Sequence, residues 1–104
     1  MIVVTGAFEF EDEAARQGWI EQAHEGMRIS RSEDGCTEYT IAPDPLNPTR
    51  AVLVEEWRDQ AALDTHLAAQ GERRSQAPPP SGPTLAPTKT SIVVHTISEQ
   101  KRLA

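Results

Sequence analysis

Residues 50–70 read RAVLVEEWRDQAALDTHLAAQ, and the order of residue types within them decides the architecture. Residues 50–57 are rich in β-branched and aromatic side chains, the composition of a strand. They run without a spacer into Asp59, whose short carboxylate suits a helix N-cap, and the spacing then predicts a helix over 60–70. At 100° per residue, Ala62, Leu63, His66, Leu67 and Ala69 share one face of that helix. Gly71 is the expected stop. A strand feeding directly into a helix with one apolar face implies that the two pack together in a layered domain.

Working outward, residues 2–10 (IVVTGAFEF) place Ile2, Val4, Gly6, Phe8 and Phe10 on one parity, which predicts a strand with a strongly apolar face. The acidic run Glu11, Asp12, Glu13 suits the first turn of a helix, because the helix dipole favours negative charge there. That helix is expected over 12–30, with Ala15, Trp19, Ile20, Ala23, Gly26 and Met27 in one arc and Ser32–Gly35 breaking it. Residues 36–42 (CTEYTIA) form a second strand, closed by a turn holding Pro43, Pro45 and Pro48. Toward the C-terminus, five prolines in residues 78–87 (PPPSGPTLAP) predict an irregular insertion over 75–90, with no helix from 77 to 88. A last strand over 91–97 completes a domain of residues 1–98, leaving a polar tail over 99–104.

The order strand–helix–strand–strand–helix–strand is the βαββαβ arrangement of an α+β, ferredoxin-like domain, an antiparallel sheet with two helices on one face. Its strands carry apolar residues on both parities, Val3 and Ala7 beside Ile2 and Val4, and Val52 and Val54 beside Leu53. Both faces are therefore expected to be covered, the helix-free one by the sheet of a second copy, giving a homodimer.

The composition narrows the partners. The 104 residues hold 10 basic and 16 acidic side chains, a net charge of −6. Nucleic acid and anionic membrane surfaces demand a basic footprint that this chain lacks. No stretch approaches the ~20 apolar residues of a membrane span. The single cysteine, Cys36, excludes an internal disulfide and fits a reducing compartment. With no signal-like segment at Met1–Thr5, a cytoplasmic location is the expectation.

Glu33-Asp34-Gly35-Cys36-Thr37-Glu38-Tyr39 resembles the E-x-G-C-x-x-Y entry to the second strand of antibiotic biosynthesis monooxygenase domains. Val54-Glu55-Glu56-Trp57-Arg58-Asp59 with Thr65-His66-Leu67 resembles their L-x-E-x-W-x-D and x-H-L stretches. The resemblance runs in order over residues 1–70. It implies a dimeric α/β barrel in which two ferredoxin-like subunits pack sheet against sheet. It also implies oxidation of phenols, quinols or anthrones by O2 without flavin or metal. One departure stands out: after His66 the chain reads Leu67-Ala68-Ala69-Gln70-Gly71, without the second histidine and aromatic of H-x-x-S-x-H-F or the third helical segment that follows in family members. The haem-degrading branch, with its strand-one asparagine and an axial histidine beyond the position of His66, matches neither strand one nor residues 67–94.

Several side chains are candidates for chemistry. His66, mid-arc on the second helix, is a candidate general base, or else a hydrogen-bonded core histidine. Trp57 and Tyr39 are candidate donors to a substrate oxygen, or core plugs. Arg16 and Trp19, on the apolar arc of the first helix, are assigned to substrate contact if that arc lines a pocket. Otherwise Trp19 packs and Arg16 snorkels. His24, His66 and His95 lie on separate elements, so no metal site is expected, and neither is a cofactor. No phosphate loop or nucleophile elbow occurs. The expected activity is cofactor-independent monooxygenation of a small phenolic, quinol or polyketide-like aromatic. The alternative is a non-catalytic small-ligand-binding or dimerisation domain of the same fold.

Overall fold

Six elements follow one another as expected: β1 (Ile2–Glu9), α1 (Glu13–Ser32), β2 (Cys36–Pro43), β3 (Arg50–Trp57), α2 (Gln60–Gln76) and β4 (Lys89–Thr96). The structure is a computed structural model that describes residues 1–79 and 85–104. The strands form one antiparallel sheet in the order β2-β3-β1-β4, and this is the α+β ferredoxin-like fold.

Local chemistry sets the boundaries. Asp12 and Asp59 cap α1 and α2, accepting from the amides of Ala15 and Ala62 at 2.8 and 2.9 Å. Gly35 turns the chain from α1 into β2 with φ +84, in the left-handed region. A Cβ there would stand 2.6 Å from that of Ala62, so the turn needs glycine for its conformation and for the close approach of α2.

Two boundaries differ from expectation. Gly71 does not stop α2, which continues through it to Gln76. A single helical glycine costs about 1 kcal/mol relative to alanine, too little to end a helix docked on a sheet. What ends it is Pro78: Ala77 adopts φ −66 and ψ 140, the extended geometry proline imposes on its predecessor. The irregular segment is therefore shorter than 75–90, since 75–76 are helical and 89–90 belong to β4. Residues 77–79 and 85–88 contain no helix, and the rest of the proline-rich expectation, 80–84, lies outside the described residues.

The core lies between the sheet and the helices. Ile2, Val4 and Phe8 of β1, with Ala51, Leu53 and Trp57 of β3, point into it and meet Ile20 and Met27 of α1 and Leu63 of α2. The parity read from the sequence for β1 holds through Phe10. β4 pairs along the whole of β1, placing Ile92 opposite Gly6 and Val94 opposite Val4 on the helix side. No described helix covers them, and they remain 53% and 52% exposed. On the opposite face, Thr40, Val54, Thr5 and Val93 make one cross-strand row, and Ala42, Val52, Ala7 and Ser91 the next.

Candidate functional site

His66 reaches the core from the second turn of α2, and only 2% of it is exposed. Asp59 fixes where the helix starts, and the helical period then turns position 66 onto the sheet. Its Nδ1 is 2.6 Å from Oε1 of Glu33, the residue that ends α1. Its Nε2 faces Oε1 of Glu55 at 4.0 Å. That same oxygen accepts the indole N–H of Trp57 at 2.9 Å. The Trp57 ring lies 4.6 Å from the imidazole and tilts by 33°, and Tyr39 closes the other side at 5.6 Å. A histidine is thus held between two carboxylates and two aromatic rings.

The electrostatics follow from burial. Glu55 sits among Ala51, Leu53 and Trp57 on the inward parity of β3. Loss of water pushes its carboxyl above the ordinary range, against the Trp57 hydrogen bond and the charge of His66. Burial also raises the Tyr39 hydroxyl, with the Glu55 charge adding to the effect, while hydrogen bonds with Ser30 and Gln70 oppose it. Cys36 is a partly buried thiol whose pKa is raised chiefly by desolvation, which makes it a poor nucleophile.

Next to this cluster is a cavity of ≈220 Å³ between the sheet and the helices. Glu55, His66, Tyr39, Gln70 and Arg74 supply its polar side chains, with Trp19, Leu63 and Val94 among its apolar ones. His66, Tyr39 and Trp19 are thus brought together around one space. Trp57 is not at that wall: it is fully buried and its only donor is spent on Glu55. Arg16 also lies elsewhere. Its guanidinium neither snorkels to solvent nor turns to the cavity; it is buried and donates to the carbonyl of Asn47 at 3.0 Å, tying α1 to the β2–β3 turn.

Two residues of the site escaped the sequence reading. Glu55 had a signal, a carboxylate on the parity of Leu53 and Trp57. Glu33 had only its place at the head of the E-x-G-C-x-x-Y stretch, which does not point to His66, because the two residues lie 33 positions apart and meet only through the packing of two helices. Among the described residues no group of histidine, cysteine and carboxylate side chains has metal-binding geometry. Likewise, no described helix is long and apolar enough to cross a membrane.

An antiparallel sheet under two helices, with a histidine–carboxylate cluster facing a cavity, defines an α+β ferredoxin-like domain. The chain belongs to the antibiotic biosynthesis monooxygenase family, whose profile matches residues 1–77. It is 32% identical over 66 residues to the uncharacterized protein sll1783 of Synechocystis sp., a match covering 64% of this chain and 44% of that protein. The chain thus spans less than half the length of the curated relative it matches. A solved structure from Deinococcus radiodurans, assigned to the antibiotic biosynthesis monooxygenases, superposes with a TM-score of 0.74 at 22% identity, over 100% of this chain and 99% of that one. Rv0793 of Mycobacterium tuberculosis gives 0.73 at 21%, over 97% and 98%. Identities this low carry the fold alone.

Proposed function

We propose that the domain is a cofactor-independent monooxygenase acting on a small phenolic, quinol or polyketide-like aromatic with O2. The observation that carries this reading is the Glu33–His66 pair at 2.6 Å, set against a mostly apolar cavity. Glu33 accepts the Nδ1 proton and leaves Nε2 as the basic nitrogen on the Glu55 side. Nε2 takes a proton from the substrate and leaves an anion electron-rich enough to reduce O2. For an anthrone-type CH2, one oxygen atom of O2 becomes the new C=O and the other leaves as water with both hydrogens, so the carbon loses four electrons and O2 gains them. In this reading Tyr39 holds the developing oxyanion, and an aromatic substrate packs against the ring of Trp19. Trp57 acts through Glu55 rather than on the substrate.

The assembly that accompanies this reading is a homodimer through the helix-free face, where Val54 and Val93 stand 41% and 48% exposed. Covering that face by a second sheet closes the dimeric barrel. A cytoplasmic location suits the unpaired Cys36.

Oxygen consumption with a panel of quinols and anthrones, in chelator-treated buffer, tests the reaction. At least one should be oxidised by the wild type, and His66→Gln should slow it by about 10²-fold or more, the usual worth of a positioned base. Binding of these aromatics with no O2 uptake by any of them would assign the chain to the alternative, a ligand-binding domain of the same fold.

A further inference from the structure

The cavity beside His66 is small for a whole site. Its ≈220 Å³ falls below the ~300 Å³ at which ligand pockets usually begin. It shares Trp19, Tyr39, Ile41, Gln70 and Arg74 with a second space, a groove of ≈470 Å³ between α1 and the end of α2. The floor of that groove includes Gly26, where a Cβ would meet nothing within 4 Å. The inner cavity and the groove therefore adjoin along these side chains, and a ligand whose ring fills the first has the second beside it.

Charge says what that groove is suited to. The whole chain carries a net −6, yet the groove wall holds Arg73 and Arg74 and no carboxylate. Arg73 is engaged, 4.0 Å from Oε2 of Glu33. Arg74 has no carboxylate within ion-pair distance among the described residues, and residues 80–84 (PSGPT) include no acidic side chain. The dipole of α2 favours basic residues in its last turn, which accounts for their occurrence there. It does not account for Arg74 bordering both spaces.

We propose that the site takes an elongated aromatic anion, its reacting ring in the inner cavity against His66 and Tyr39 and a carboxylate at its far end held by Arg74. The proposal rests on the oxygenase reading for which ring reacts, but not for how the ligand binds. Arginine suits the task because its planar fork matches a carboxylate with two parallel hydrogen bonds.

Calorimetric titration of the full chain with anthraquinone-2-carboxylate and with its neutral carboxamide tests the site without turnover. The carboxylate should bind about tenfold more tightly than the amide, roughly one charge-assisted hydrogen bond. Arg74→Ala should erase the difference, while Arg74→Lys, which keeps the charge, should retain part of it. Gly26→Leu, which fills the groove where a Cβ finds open space, should weaken both probes. Equal affinities for the wild type, no binding of either probe, or an unchanged preference in Arg74→Ala would overturn the anion site whatever the oxygen electrode shows. Carboxylate preference without O2 uptake by any quinol would uphold it and overturn the oxygenase reading alone.

Discussion

Glu55 is the residue where burial and function pull against each other. Its carboxyl is pushed up by desolvation, so the folded chain holds that proton more tightly than the unfolded chain. The sign of the consequence is fixed: this group's contribution is most favourable below the unfolded carboxylate range and weakens as pH rises through the elevated folded value. Glu55→Gln keeps an acceptor for the Trp57 indole and cannot ionise. Its melting temperature should therefore exceed that of the wild type at about pH 7 and converge with it at about pH 4, near the unperturbed carboxylate value. Circular-dichroism melts across that range decide it. A deficit that is the same at every pH would mean that the hydrogen-bond geometry, not the charge, sets the cost. His66→Gln should behave differently, losing about 1–3 kcal/mol at neutral pH because Glu33 is left half-buried without its partner.

Two glycines show how an element's boundary depends on what lies beside it. Gly35 occupies the left-handed region with Ala62 packed against it, whereas Gly71 lies inside α2, where an added Cβ would meet nothing within 4 Å. Alanine at the two positions should act in opposite directions. Gly71→Ala should stabilise by about 0.5–1 kcal/mol, the helical cost of glycine removed. Gly35→Ala should destabilise by about 1–2 kcal/mol from conformation alone, with the clash added. Urea unfolding measures both, and a stabilising Gly35→Ala would show that α2 can withdraw from the turn. The same contrast explains why residue 71 reads as a stop in the sequence but is not one: glycine suits a helix end and a helix interior at modest cost, and the decisive breaker, Pro78, stands seven positions later.

For the whole molecule, partnership is a matter of the helix-free face. The rows Thr40–Val54–Thr5–Val93 and Ala42–Val52–Ala7–Ser91 are small or apolar across all four strands, a surface suited to a second sheet. A homodimer through it should bury more than ~1,200 Å² in total. Sedimentation equilibrium at micromolar concentration should then give twice the 11.4 kDa chain mass. Val54→Lys, at the middle of the first row, should shift the equilibrium to monomer without unfolding the chain, because its side chain points away from the core. A wild type that sediments as a monomer would remove the dimer.

The periodicity of apolar residues, the Asp59 cap, the acidic run at 11–13 and the proline positions already determined the six elements, their order and the inward parity of β1, because each depends on neighbours within a few residues. The position of His66 was legible for the same reason: two helical turns carry it from Asp59 onto the apolar face. What surrounds it was decided only by the tertiary structure. Glu33 and Glu55 reach His66 from the end of another helix and from a strand, and Arg16 turns to the Asn47 carbonyl instead of outward. Such contacts are settled by how helices sit on the sheet, through close packing and the cost of leaving buried polar groups unpaired, and no local pattern encodes that geometry.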